Sequence, residues 1–173
     1  MKFRNLYLPL LAVLAALIVW KLHRRSESGV PPLFSSEPAQ AQPKLPTLKL
    51  WLGSEELAAE MALTPEQERT GMMFRTNILD TDAMIFVLPF PQRASFWMKN
   101  CPESISAAYI DPEGVILEIH HLEKNDTNAV TAGTANVQFV LETSDGWFAR
   151  HHVGTGTVIR TERGALAETF LRR

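Results

Sequence analysis

A single cysteine, Cys101, stands among 173 residues. That excludes an intramolecular disulfide framework and any zinc site built on a cysteine cluster, since both need two or more thiols from one chain. Packing alone must hold the core. Positive charge is scarce where a nucleic-acid binder would need it: residues 1–46 carry six Lys and Arg against two Asp and Glu, whereas residues 47–173 carry eleven against seventeen. So acidic a body argues against nonspecific nucleic-acid binding. No repeat is present, which removes solenoids and propellers. The length suits one globular domain with an appendage.

The appendage is at the amino terminus. Lys2 and Arg4 precede an apolar run from Leu6 to Trp20, and Lys21, His23, Arg24 and Arg25 follow it. As a helix the run would span about 22 Å, short of a hydrocarbon core of roughly 30 Å unless Phe3, Leu22 and snorkelling basic stems extend it. Length therefore leaves an uncleaved anchor and a cleaved signal peptide both open for residues 1–25. The anchor is preferred, because no Ala-x-Ala cleavage pattern follows Trp20 until Ala39-Gln40-Ala41. Basic residues flank both ends, so the positive-inside rule does not fix the orientation. The usual export arrangement puts the domain outside the cytoplasm, periplasmic or at the cell surface. Residues 26–46, with five prolines and four serines, read as an extended spacer, although Leu33 and Phe34 would prefer burial.

Beyond the spacer, a globular domain over residues 47–163 precedes a tail at 164–173. Leu48, Leu50 and Leu52 alternate with Lys49 and Trp51, predicting a strand that turns at Gly53-Ser54 into a second one over 55–63. Thr64-Pro65-Glu66-Gln67 opens a helix with a threonine cap, proline at the first helical position and glutamine placed for a capping box; Gly71 ends it. Further strands are expected at 83–88, 94–99, 105–111, 115–122, 136–143 and 157–160, with a turn at 111–114 and a short helix at 147–152 capped by Ser144 or Asp145. This pattern predicts an α+β domain, mainly antiparallel, on a strongly bent or barrel-like sheet with one or two short helices.

Four strings then become specific: Gly71-Met72-Met73-Phe74-Arg75, Met84-Ile85-Phe86-Val87, Ser95-Phe96-Trp97-Met98-Lys99-Asn100 and Ala108-Tyr109-Ile110-Asp111. In this order and spacing they resemble the bacterial and archaeal family called domain of unknown function 192. Val140-Leu141-Glu142, Gly146 and His152-Val153-Gly154-Thr155-Gly156 are similar to its closing segment, so the resemblance covers about residues 48–160. It implies a small, exported or membrane-tethered α+β domain with no agreed activity and no catalytic residues to carry over. Where the family usually has threonine, this chain has Cys101, which weakens any nucleophilic role for that thiol.

The residues offer three chemistries. Lys99 lies two positions before Cys101 and would lower a thiol pKa, but nothing in the sequence brings a base to it; a partly buried thiol filling a gap is the plainer reading. His120-His121 and His151-His152 cannot each chelate as a pair, because neighbours on a strand or helix diverge, so no metal and no cofactor is expected. Met72, Met73, Met84 and Met98 keep apolar company and read as core. The polar set Arg75, Trp97, Lys99, Asn100 and Glu142, with Asp111, falls where elements end. If Phe96 and Met98 point inward, Trp97 and Lys99 stand side by side on the other face and could cradle a small anionic or planar ligand. Against this stands a buried ion pair, such as Arg75 or Lys99 with Glu142, that only fixes the sheet. The reading is a membrane-tethered, extracytoplasmic binding or accessory module of the cell envelope, its partners the membrane, a small anionic ligand or an envelope protein, with no nucleic acid. The alternatives are a hydrolase or transferase using Cys101 or a carboxylate, and a purely structural envelope protein.

Overall fold

The computed structural model describes residues 40–171. The apolar leader, Leu33 and Phe34 lie outside the described residues. Among those described, no helix is long and apolar enough to cross a membrane. The elements run β1 (Thr47–Leu52), β2 (Glu55–Ala62), α1 (Pro65–Thr70), β3 (Ala83–Gln92), β4 (Ser95–Phe96), β5 (Ile105–Ile110), β6 (Ile116–Leu122), β7 (Val130–Thr131), β8 (Val137–Ser144), α2 (Trp147–Arg150), β9 (Ile159–Thr161), β10 (Gly164–Ala165) and α3 (Leu166–Phe170).

Eight strands form one sheet in the order β10-β9-β1-β2-β3-β8-β5-β6, and β4 pairs with β7 apart from it. Only β2 and β3 run parallel, because α1 and the loop after it carry the chain back between them. The sheet is mainly antiparallel and curls into a half-barrel, the α+β class expected. Backbone bonds bring its ends together: Ile116 N–H donates to Thr157 O at 2.9 Å and Ile159 N–H to Gly114 O at 2.8 Å. Gly114 is required there, since its φ is +87° and an added Cβ would lie 2.9 Å from the Ile159 carbonyl.

Alternation gives the sheet two buried faces. Leu48, Leu50, Leu52, Ile85, Ile110 and Leu141 point to one, which Trp147 and Phe148 of α2 and Leu166 of α3 cover. Met84, Phe86, Ala107, Tyr109 and Val140 point to the other, where loops bring Met72, Met73, Met98 and Cys101 over them. α1 forms as its sequence dictates. Thr64 Oγ1 accepts the Gln67 N–H at 3.2 Å while Gln67 Oε1 accepts the Thr64 N–H at 3.1 Å.

Some boundaries move. Residues 164–170 of the segment read as a tail belong to the fold: β10 pairs with β9, Leu166 is fully buried and the Phe170 ring lies 6.0 Å from that of Phe139. Two short elements flanking one turn leave too little periodicity to announce themselves. The end of the spacer is docked: Gln42 Nε2 donates to Gly71 O at 2.9 Å and Leu45 N–H to Glu60 Oε2 at 2.7 Å. The strand expected at 94–99 shrinks to Ser95–Phe96, because Met98 N–H bonds Asp126 O in a loop and Asn100 turns the chain at φ +59°. α2 is capped by Gly146 at φ +69° without a side-chain bond; Ser144 still belongs to β8, and its hydroxyl donates to Asp80 at 2.7 Å.

Candidate functional site

On the loop-covered face, register places Glu60 beside Met84, Met84 beside Glu142 and Glu142 beside Ala107, one row across β2, β3, β8 and β5. Cross-strand partners share a face, so the two carboxyls project the same way, two strands or about 10 Å apart. Their fates differ. Arg75 Nη1 and Nη2 donate to Glu60 Oε1 and Oε2 at 2.6 and 2.7 Å, a bidentate, largely buried pair. Burial alone would raise the Glu60 carboxyl; Arg75 and the Leu45 N–H hold it below its ordinary value.

Glu142 has no such partner. It is 4% exposed, and its Oε2 is buried without a hydrogen bond. Burial pushes this carboxyl up to about 8 against the pull of the Arg75 cation. It is therefore mostly a neutral acid at neutral pH. Glu142 lines a cavity of about 310 Å³ together with Met72, Met73, Phe86, Phe96, Trp97 and Cys101 and with Glu68 and Arg69 of α1. Phe86 and Phe96 meet edge to face at 5.1 Å. Burial raises Glu68 as well.

Local backbone builds these walls. Gly71 reverses the chain at φ +46°, sending Met72 and Met73 inward. Phe74 N–H then donates to Asn100 O at 2.7 Å, which stitches the first specific string to the third. Four of the strings that carry the family resemblance thus supply the pocket: Gly71 to Met73, Phe86, Phe96 with Trp97, and Glu142.

Of the five residues singled out from sequence, Trp97 and Glu142 share this cavity. Trp97 is 43% exposed and Lys99 Nζ lies 5.4 Å from its ring centroid, but both lie beyond the end of β4, and Trp97 lines the same cavity as Phe96 rather than an opposite face. Lys99 and Asn100 lie outside the cavity's lining; Asn100 serves the Phe74 bond. Arg75 is committed to Glu60 and lines a neighbouring hollow of about 460 Å³ with Gln42, Phe74 and Asp82. Asp111 accepts the Val115 N–H at 2.8 Å in its turn. Burial and the Glu142 charge push the Cys101 thiol up to about 12, too high to furnish a thiolate. His120 bonds Glu118 at 2.8 Å, and His121 bonds Asp145 at 2.8 Å and Glu123 at 3.2 Å, so the adjacent rings part company. Among the described residues, no group of three or more His, Cys, Asp or Glu is placed to hold a metal. Sequence reasoning missed Glu60, the partner Arg75 takes; its place among the alternating residues of β2 was the available signal. It also missed the aromatic and methionine walls, having assigned them wholly to core.

A curled α+β domain with a buried acid facing a cavity defines the class of protein. The chain belongs to the DUF192 family, described as an uncharacterized ACR, whose model matches residues 49–161. Its fold is similar to that of a putative transcription regulator from Sinorhizobium meliloti 1021, at 23% identity and TM-score 0.65 over 69% of this chain and 97% of that one. It is also similar to a protein of unknown function from Novosphingobium aromaticivorans DSM 12444, at 23% identity and TM-score 0.60 over 75% and 99%. Identities this low establish a common fold and nothing of activity. No curated protein sequence matches the chain.

Proposed function

We propose that this protein is a binding module of the cell envelope, held to the membrane by its amino-terminal segment with the domain outside the cytoplasm, and that a small ligand enters the cavity over Glu142. The observation that carries the reading is the Glu142 Oε2 atom, buried and unbonded, on a residue that lines the cavity. An unsatisfied polar atom costs stability of about 1–3 kcal/mol, a cost that a ligand able to bond it removes. Trp97, with Lys99 against its ring, forms the rim, while Asn100 and Arg75 position the loops that wall the cavity. A ligand found by thermal shift on the full chain should lose its shift in Trp97→Ala and Glu142→Gln; a shift untouched by both sinks the site. Recovery of the full-length product wholly from the soluble cytosol sinks the tether.

A second reading is supported by the same raised carboxyl. A hydrolase or transferase could use Glu142 as proton donor, since an acid titrating near neutral pH suits that task; Cys101 is the poorer candidate for the reasons above. Turnover of any substrate by the parent chain and its loss in Glu142→Gln would favour it. The purely structural reading needs an apolar patch at Trp51 and Trp97. Trp51 instead donates its indole N–H to Glu56 at 3.0 Å and lies under Lys49.

A further inference from the structure

We infer that the cavity over Glu142 receives the ammonium of a small primary or secondary amine, its N–H donating to Glu142 Oε2 and its apolar body lying against Phe86, Phe96 and Trp97. This rests on the reading of the cavity as a ligand site and adds the sign of the ligand's charge. Three features favour a cation. The side walls are aromatic and thioether surfaces, whose electron-rich faces attract cations and repel anions. Of the acidic and basic side chains that line the cavity, two are carboxyls, Glu142 and Glu68, against the single cation Arg69. The cation nearest to serving Glu142 from within, Arg75, is held bidentately by Glu60. The sequence-based expectation of an anion assumed that Arg75 and Lys99 would line the cleft. A quaternary ammonium lacks the N–H that the orphan oxygen needs.

Binding must then move a proton. Without a bound cation Glu142, raised to about 8 by burial, is mostly protonated at neutral pH. As the ammonium seats, the carboxyl gives its proton to solvent, leaving a carboxylate against R–NH3+ and one H+ released. The groups facing Glu142 do not replace that proton. Arg75 and Glu60 form a neutral pair, the Cys101 thiol and the Tyr109 phenol are both raised by burial and stay protonated, and Glu68 and Arg69 line the same cavity from α1.

The test is calorimetry on the full chain with 2-phenylethylammonium, 2-phenylethanol and 3-phenylpropanoate at pH 7, each in two buffers of different ionisation enthalpy. The ammonium should bind at least about tenfold tighter than the alcohol and release close to one proton; the carboxylate should bind more weakly than either. Glu142→Gln should abolish both the preference and the proton release, and Trp97→Ala, at an exposed position, should weaken amine and alcohol alike. Alcohol or carboxylate binding as tightly as the amine, yet still dependent on Glu142, overturns the ammonium assignment and leaves the ligand site standing. Binding of none of the three, or binding indifferent to both substitutions, overturns the two together.

Discussion

On one face of the sheet Trp147, Phe148 and Leu166 close over Leu48, Leu50, Ile85 and Leu141; on the other the same strands present Glu60 and Glu142, the two buried carboxyls among the described residues, under loops rich in methionine. Helix-borne side chains interdigitate with the first face and seal it. Loops span the second and leave a cavity lined by the residue that carries an unbonded oxygen. The difference teaches where the fold spends stability: one face secures the domain, and the other tolerates an unsatisfied acid of the kind that folds keep where something is to be bound.

The largest expected effect tests that asymmetry directly. Trp147, 1% exposed, should cost about 3–5 kcal/mol on replacement by Ala, measured by chemical denaturation. Phe96 is half-buried at the cavity, and its removal should cost only about 1–2 kcal/mol, since part of its surface is already in water. Equal losses would erase the distinction between a sealed face and an open one.

Within the open face, the two carboxyls can be set against each other. Arg75→Ala strands a buried Glu60 charge and should destabilise by about 3 kcal/mol, whereas removing the Glu142 carboxyl strands nothing. For Glu142 the informative variable is pH. The folded carboxyl titrates near 8 and the unfolded one near its ordinary 4.5, so between these values the folded chain holds a proton that the unfolded chain has lost. Stability must therefore fall as pH rises from about 4.5 to 8 and level off above, by about 2–5 kcal/mol from this group. His151, raised by its bonds to Glu55 and Asp80, adds a loss of stability of the same sign as pH climbs through and above its ordinary range. The difference between parent and Glu142→Gln isolates the carboxyl: the variant's profile should be flatter between pH 5 and 8. Parallel profiles would mean that Glu142 is ionised, and so partnered, in the folded chain.

Much of this was legible beforehand, for identifiable reasons. β1 declares itself by strict alternation of Leu48, Leu50 and Leu52, and α1 by a capping box, because both signals are local. Trp97 and Lys99 do lie side by side, but beyond the end of β4 at Phe96, so strand alternation is not what brings them together. Glu142 could be singled out as a carboxyl closing an apolar run, but its lack of a partner could not, since that depends on Arg75 choosing Glu60. That choice is made by the parallel register of β2 on β3 and the loop that returns between them, both long-range. Lys99 and Asn100 end a run and so point to the cleft on sequence grounds, yet the turn at Asn100 sends them to its border. The carboxy-terminal helix was missed because a five-residue segment carries barely one turn of pattern.

Cys101 gives the smallest expected effect and probes how open the loop-covered face is. Its thiol lines the cavity but is only 5% exposed, donates to the Lys99 carbonyl at 3.6 Å and is raised to about 12 by burial and the Glu142 charge. At neutral pH almost none of it is thiolate, so iodoacetamide should label the folded chain far more slowly than free cysteine and should reach full labelling only in denaturant. Cys101→Ser should shift the midpoint of unfolding slightly, by about 1 kcal/mol or less. Because so little of the thiol is ionised, raising the pH from 7 to 9 should quicken labelling by about a hundredfold, more than for an exposed thiol, whose ionisation is already saturating by pH 9. Fast labelling at pH 7 would show that the loops lift far enough to bathe the thiol in water. The cavity would then be a cleft open to solvent, and the low polarity that keeps Glu142 protonated would be lost with it.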